Sequence, residues 1–336
     1  MTAPVARDKT TGLHVGEAVP GCAKVDPIII ADNVRRSFGG VHAVDVDHLE
    51  IPRGAITALI GPNGAGKTTL FNLLTGFDQP NEGKWSYDGH DLSGVAAYKV
   101  ARMGLVRTFQ LTKALGLLTV MENMKLGAKN QKGEKFWASM IPALWRKQDD
   151  ALEDQAMELL QRFKLDAKAD DFAASLSGGQ RKLLEMARAL MTVPTLVMLD
   201  EPMAGVNPAL TQSLLDHILN LKDDGMTVLF VEHDMHMVRH IADWVVVMAE
   251  GRVVAEGDPH EVMKNPAVID AYLGAHQELD LGVVTGRITI QDADPSADPE
   301  ASSQASADAL VADGIAEEEV AAAATSTSAE SQEDSK

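Results

Sequence analysis

Short apolar runs of strand length alternate along most of this chain with longer stretches whose apolar residues recur three and four positions apart. "AITALI" (55–60), "TLVMLDE" (195–201) and "MTVLFVEH" (226–233) are continuous apolar runs, the pattern of strands covered on both faces. "TTLFNLLTG" follows the first as a helix, with Leu70, Phe71, Leu73 and Leu74 on its packing side and Gly76 as a stop. "DALEDQAMELLQRF" carries Leu152, Ala156, Leu159, Leu160 and Phe163 along one side of a second helix. Leu183, Leu184, Ala187, Leu190 and Met191 mark the core side of a third. Apolar strands alternating with helices predict an α/β protein with a largely parallel, two-sided sheet.

Other segments follow a different pattern. "PIIIADNVRRSF" (27–38), "VHAVDVDHLEIPRG" (41–54) and "GKWSYDGHDLSG" (83–94) read as strands ending in turn residues, and predict a small antiparallel sheet beside the main one. From about Leu111 to Met191 the spacing is helical. Within it "KFWASMIPALW" is broken or kinked at Pro142, and its aromatic cluster is read as packing. "WVVVMAEGRVVAEG" predicts a hairpin turning at Glu250-Gly251. "GDPHEVMKNPAVIDAYLG" predicts a helix with Asp258 as N-cap, Pro259 at its first position and Glu261 at its third.

Composition divides the chain further. Of 336 residues, 45% are hydrophobic and 24% charged, an ordinary globular balance. The net charge is −19; residues 276–336 hold 14 Asp and Glu against Arg287 and Lys336, so −12 lies there and −7 elsewhere. That segment is poor in large apolar groups and reads as a disordered acidic tail. Residues 1–26 read as a flexible leader. The acidic balance argues against a nucleic-acid partner. The single cysteine, Cys22, excludes an internal disulfide and fits a reducing compartment. "VPGC" is not read as a lipidation site, because the residues before it form no apolar signal segment. No run approaches the ~18–20 apolar residues that span a bilayer, so a membrane role requires a partner.

The chemistry concentrates at the predicted strand ends, where open α/β sheets gather active groups. "GPNGAGKTT" (61–69) joins the first apolar strand to its helix and fits the phosphate-binding pattern G-x-x-x-x-G-K-[ST]. A glycine-rich turn there aims successive N–H groups at one anion, and the helix terminus adds partial positive charge. Gly61, Pro62, Asn63, Gly64, Ala65, Gly66, Lys67, Thr68 and Thr69 are thus candidate phosphate-binding residues. Lys67 reaches the β- and γ-phosphates and the Thr68 hydroxyl suits Mg²⁺. Asp200 closes the second apolar strand and suits hydrated Mg²⁺; Glu201 beside it is the candidate general base, and His233 after the third strand a γ-phosphate contact. "LSGGQ" (176–180) opens a clear helix with Ser177 as N-cap, a second anion-binding terminus in one chain.

With these motifs in this order, residues 27–275 resemble the ABC transporter ATPases. The resemblance implies a P-loop NTPase core with a mostly parallel sheet, an antiparallel β subdomain and an α-helical signature subdomain at about 111–191. It implies ATP and Mg²⁺ as cofactors, and a homo- or heterodimer with a second ABC ATPase subunit. In that dimer Ser177, Gly178, Gly179 and Gln180 meet nucleotide held by the other subunit. Phe38 matches the residue that stacks on adenine, and Gln110 in "RTFQ" the one that senses Mg²⁺ and γ-phosphate. The helical subdomain receives a short helix from one of two transmembrane permease subunits, with an extracytoplasmic binding protein as indirect partner. The chain is then peripheral, on the cytoplasmic face of the membrane.

Within the family, "FGGVHAV", "GLVRTFQ", the long insertion after the glutamine and "MAGVNP" are similar to ATPase subunits of branched-chain amino acid importers. Asn207, where many ABC ATPases have Asp, is usual in that subgroup and is expected to hydrogen-bond across the dimer. "LSGGQ" departs from the "YGQ" of many of its members. Urea or amide importers and lipopolysaccharide-extracting ATPases are the related readings. A soluble non-transport ABC ATPase, of a different class, usually has two cores or a long coiled coil, and neither is present here.

Overall fold

The computed structural model describes residues 12–108, 114–129, 131–132, 140 and 142–275. The chain runs through β1 (Pro27–Phe38), β2 (Val41–Pro52), β3 (Ile56–Ile60), α1 (Lys67–Leu74), β4 (Glu82–Tyr87), β5 (His90–Asp91), α2 (Ala97–Arg102) and β6 (Leu105–Arg107). Helices α3 (Val120–Leu126), α4 (Pro142–Arg162) and α5 (Gly178–Leu190) follow. Then come β7 (Leu196–Asp200), α6 (Pro208–Asp223), β8 (Thr227–Val231), α7 (Met235–Ile241), β9 (Trp244–Ala249), β10 (Arg252–Gly257), α8 (Pro259–Val262) and α9 (Pro266–Ala275).

Two sheets result. The smaller has the order β2-β1-β4-β5 and is antiparallel throughout. The larger has the order β10-β9-β3-β8-β7-β6; it is parallel from β9 to β6, and only β10 runs antiparallel. Strands β3, β7, β8 and β9 are buried at every residue, which accounts for their unbroken apolar sequence. Helix α1 lies in the core shared by the two sheets. Leu70, Phe71, Leu73 and Leu74 join a buried cluster with Val44, Val46 and Trp85 of the small sheet and Leu59, Met198 and Val246 of the large one.

Helices α3, α4 and α5 pack on one another between β6 and β7. Thr119 and Glu122 form a capping box at the start of α3. Pro142, expected to kink or break a helix, begins α4, where a missing N–H costs no hydrogen bond. Along α4, Ala156 and Leu160 are buried and Leu152 and Leu159 half-buried; Phe163 just beyond is buried too. The hairpin β9–β10 turns at Glu250 and Gly251, both at positive φ. Asp258 caps α8 through His260 N and Glu261 N. That helix lasts only to Val262, and Pro266 opens α9.

The leader expected over 1–26 is packed over its described part, 12–26. His14 and Lys24 form an antiparallel bridge. The Lys24 ammonium is fully buried against Glu256 Oε2 at 2.8 Å, and also donates to Cys22 O at 2.7 Å. Trp244 Nε1 donates to the same Glu256 oxygen at 2.9 Å, and Cys22 N to the other, Oε1, at 2.9 Å. A buried ion pair with its remaining hydrogen bonds satisfied holds this segment on the far hairpin. The acidic tail at 276–336 and residue Gln110 lie outside the described residues.

Candidate active site

The parallel register decides which residues meet. Leu59 of β3 stands opposite Val231 of β8, and Val231 opposite Asp200 of β7. Gly61, Glu201 and Glu232 therefore leave the sheet at one edge, the carboxyl end of three adjacent strands. Arg107 of β6 pairs with Met198, so Thr108 leaves the sheet at the same edge.

The loop between β3 and α1 is shaped by its glycines. Gly61 and Gly66 have φ of 148° and 96°. A Cβ on Gly66 would lie 2.3 Å from Ala43 O, and one on Gly61 2.1 Å from Met248 O. The loop is thus pressed between β2 and the end of β9, and Gly251 N donates to Ala65 O at 3.1 Å from the hairpin turn. Pro62 and Ala65 are buried, whereas Asn63, Gly64 and Thr68 are exposed. Helix α1 begins at Gly66 with no side-chain cap, which leaves its first N–H groups directed at the loop's concavity. Lys67 Nζ donates to Gly61 O at 2.7 Å and Pro62 O at 2.9 Å. Burial pulls its ammonium below the ordinary lysine value, and the charges of Glu201 and Asp200 oppose this.

Asp200 ends β7 almost fully buried. Arg107 Nη2 donates to its Oδ2 at 2.7 Å, with both side chains under a tenth exposed. Arg107 Nη1 donates to Asn72 Oδ1 at 2.6 Å, and the guanidinium lies 5.5 Å from the Phe71 ring centre. Glu201 follows at φ 45°, a left-handed conformation costing a non-glycine residue roughly 1–2 kcal/mol. Its N–H donates to Val231 O at 3.1 Å. His233 is exposed, and its Nδ1 lies 3.6 Å from Glu232 Oε2. Glu232 is buried and accepts from Met203 N at 3.0 Å and from His233 N at 3.3 Å.

Phe38 ends β1, exposed, with the Arg36 guanidinium 4.6 Å from its ring centre. It pairs with Val41, two residues before the Ala43 carbonyl that touches Gly66. At the start of α5, Gln180 N donates to Ser177 Oγ at 3.3 Å and Ser177 N to Gln180 Oε1 at 3.0 Å. This capping box uses Ser177 as an acceptor and leaves its O–H to donate. Gly178 has open space around it, whereas Gly179 packs against Leu210. Asn207, expected to reach across a dimer, caps α6 within its own chain: its Oδ1 accepts from Leu210 N at 2.9 Å.

The structure thus brings Gly61–Thr69, Asp200, Glu201 and His233 to one sheet edge, with Phe38 on the adjoining hairpin. Ser177–Gln180 sit on the helical segment. Sequence reading gave no role to Arg107, Lys182 or Glu232. Only Arg107, in the quoted "RTFQ", offered a local signal, a cation just before the glutamine. Open amide donors, an ammonium, a hydroxyl and two carboxylates suit a polyphosphate, a hard cation and an activated water.

Comparison with known proteins agrees with this geometry. Residues 44–204 match the ABC transporter family, and residues 252–278 match the branched-chain amino acid ATP-binding cassette transporter family. A probable branched-chain amino acid transport ATP-binding protein, LivG of Archaeoglobus fulgidus, is 39% identical over 257 residues, covering 76% of this chain and 99% of that protein. The high-affinity branched-chain amino acid transport ATP-binding protein BraF of Pseudomonas aeruginosa is 40% identical over 251 residues, covering 74% and 98%. Among solved structures, the ADP conformation of MJ1267, an ATP-binding cassette of an ABC transporter, superposes with a TM-score of 0.65 at 36% identity, covering 74% of this chain and 99% of that one. Likeness over nearly the whole length of these relatives, joined to a phosphate loop and an acidic strand end on one sheet edge, makes the chain a member of the ABC transporter family, an ATP-hydrolysing cassette of the branched-chain amino acid transport ATP-binding group.

Proposed function

We propose that this ATPase energises import of branched-chain or related amino acids through two permease subunits, as one half of an antiparallel cassette dimer. The observation that carries the catalytic part is the register that sets Gly61, Asp200, Glu201 and His233 on one edge. The cargo is taken from the relatives' names and from the match at 252–278.

In this reading the loop amides of 61–69 and Lys67 hold the triphosphate, and Phe38 stacks on the adenine. The Glu201 carboxylate takes a proton from the attacking water, and His233 donates to a γ-phosphate oxygen. The Ser177 hydroxyl and the amides of Gly178 and Gly179 bind the γ-phosphate of the partner's nucleotide, with Gln180 completing the signature. Closure on ATP and opening after hydrolysis move the permeases between inward- and outward-facing states.

Mg²⁺ fits the donors present. The Thr68 hydroxyl and the Asp200 carboxylate are hard oxygen ligands, and Mg²⁺ usually takes one or two protein oxygens together with phosphate and water. Gln110 is the third candidate. When bound, Mg²⁺ supplies charge neutralisation at the β- and γ-phosphate oxygens.

No helix among the described residues is long and apolar enough to cross a membrane. Attachment at the cytoplasmic face therefore falls to the permeases. A groove of about 470 Å³ lined by Thr75, Phe77, Tyr98, Ala101, Leu105 and Arg107 suits a short permease helix. Phe77 and Tyr98 are more than half exposed there. Its lining comes from the end of α1, from α2 and from β6, which precedes the helical segment in the chain. Through Arg107 it adjoins Asp200.

The central test is Glu201→Gln. It should bind ATP normally, lose nearly all turnover and accumulate as an ATP-dependent dimer. Near-normal steady-state hydrolysis would remove Glu201 from the role of base. Uptake by vesicles carrying the full complex tests the cargo: leucine should enter in an ATP-dependent way, and entry of urea instead would refute the assignment.

A further inference from the structure

The backbone between Glu201 and Ala204 is gripped from two sides. Lys182, on α5, directs its ammonium into the turn and donates to Glu201 O at 3.2 Å, Pro202 O at 3.1 Å and Ala204 O at 2.5 Å. An ammonium has three N–H donors, so three carbonyls of one turn use its full capacity. From the other side the buried Glu232 carboxylate accepts from Met203 N at 3.0 Å. The two side chains thus hold successive peptide groups of a turn that begins with a left-handed glutamate. Lys182 lies five residues after the N-cap Ser177, on the helix that carries the signature. Gly179 packs on Leu210 of α6 so closely that a Cβ would come within 2.3 Å of Leu210 Cδ1. The signature helix therefore meets this segment twice, at the 201–204 turn and at Leu210.

We propose that Lys182 and Glu232 are positioning residues for hydrolysis: they fix the turn that aims the Glu201 carboxylate, and Lys182 makes that aim depend on where the signature helix sits. This rests on Glu201 acting as base and on the signature meeting the partner subunit's nucleotide. A signature helix drawn onto the opposite nucleotide then carries Lys182 with it and sets the carboxylate of its own subunit. Binding at one composite site thereby prepares the water at the other. Neither residue is among those assigned to hold ATP, so the effect falls on turnover and spares affinity.

The test uses the full-length chain. Single-turnover and steady-state hydrolysis are measured beside equilibrium binding of a fluorescent ATP analogue. Lys182→Met should lower kcat roughly tenfold to a hundredfold, the scale of an ångström-size misplacement of a reacting group, with KM and analogue affinity within about twofold. Lys182→Arg, which keeps several donors, should recover most of the rate. Glu232→Ala should lower kcat likewise and speed hydrogen exchange at the Met203 amide. Glu232→Gln, whose amide oxygen still accepts, should do neither. In a Glu201→Gln background, Lys182→Met should change the residual single-turnover rate by less than about twofold, because the group it positions is already gone. Should the Met variant fail to fold, Lys182→Gln keeps two donors on a shorter stem, and should fall between Lys and the Glu201→Gln floor. An unchanged kcat, a raised KM at constant kcat, or equal fold-losses in both backgrounds overturns the proposal. Retained turnover in Glu201→Gln alone instead overturns the base assignment on which it rests.

Discussion

Arg107→Met removes one partner of the buried pair with Asp200 and leaves a carboxylate at the end of β7 without its guanidinium. Both side chains are under a tenth exposed and the contact is 2.7 Å, so solvent screens it little. Breaking such a pair by deleting one side costs about 3–5 kcal/mol, most of it the burden of a buried, uncompensated charge. Asn72 Oδ1 loses its 2.6 Å donor in the same step. For a domain of this size about 2–4 °C of melting temperature accompanies each kcal/mol, so the apparent midpoint should fall by roughly 6–20 °C. Arg107→Lys should fall less, since it keeps the charge, but an ammonium does not span Asn72 and Asp200 as the planar fork does. Thermal melts of all three proteins, with and without a non-hydrolysable ATP analogue and Mg²⁺, provide the measurement. The deficit of Arg107→Met should shrink in the presence of Mg²⁺ and nucleotide, because the cation proposed at Asp200 would replace the missing positive charge. A loss below about 1 kcal/mol, the value of an exposed ion pair, would refute the reasoning. So would a deficit that ignores Mg²⁺ and nucleotide.

Two further outcomes follow from local geometry. Gly66→Ala and Gly64→Ala both place a side chain at positive φ, costing roughly 1–2 kcal/mol. Only Gly66 adds a clash, 2.3 Å from Ala43 O, whereas Gly64 meets nothing within 4 Å. Melting and ATP-analogue binding should therefore suffer clearly more at 66, and equal losses would contradict the packing described. Burial raises Glu232 above the ordinary carboxylate value; the Met203 and His233 N–H groups and the His233 ring lower it, and the Glu201 charge adds to the rise. Lys182 also faces it. The native state then binds more protons than the unfolded one, so wild-type stability declines as pH climbs from the ordinary glutamate value through the raised one. Glu232→Gln lacks that slope, and its advantage in melting temperature should widen over this window; a constant difference from about pH 4 to 8 would contradict it.

The features legible beforehand were those written in local pattern. Unbroken apolar runs announced β3, β7 and β8, because strands covered on both faces leave no polar alternation. The glycines and Lys67 announced the phosphate loop, because no other residue type tolerates φ of 96° beside a carbonyl at that distance. The start of α5 was visible through Ser177, which caps it as expected. What escaped were contacts made at a distance. Arg107 reaches an aspartate 93 positions away, and Glu232 a backbone amide 29 positions before it. Neither residue breaks a local rule, so only the register of the sheet reveals its partner. Pro142 misled because proline halts a helix from within yet starts one well. Residues 12–26 misled for the opposite reason. Nothing in their local pattern announces an anchor, but one lysine among them finds a carboxylate and an indole edge brought together by the last hairpin.

That clasp has a consequence for how the protein is made. Lys24 and Glu256 are separated by 232 positions. At about 5–20 residues per second of synthesis, roughly 10–50 s pass between the emergence of one and that of the other. Throughout that time Lys24 stays hydrated, since burying its charge alone costs several kcal/mol. The central strand β3 waits as well, because its neighbours β8 and β9 are made late. The nascent amino-terminal half therefore leaves the ribosome with its middle strand unpaired on both sides and its first lysine anchor undocked. Closure of the cassette comes only with the final hairpin, which inserts the last parallel strand and fastens the beginning of the chain in the same event.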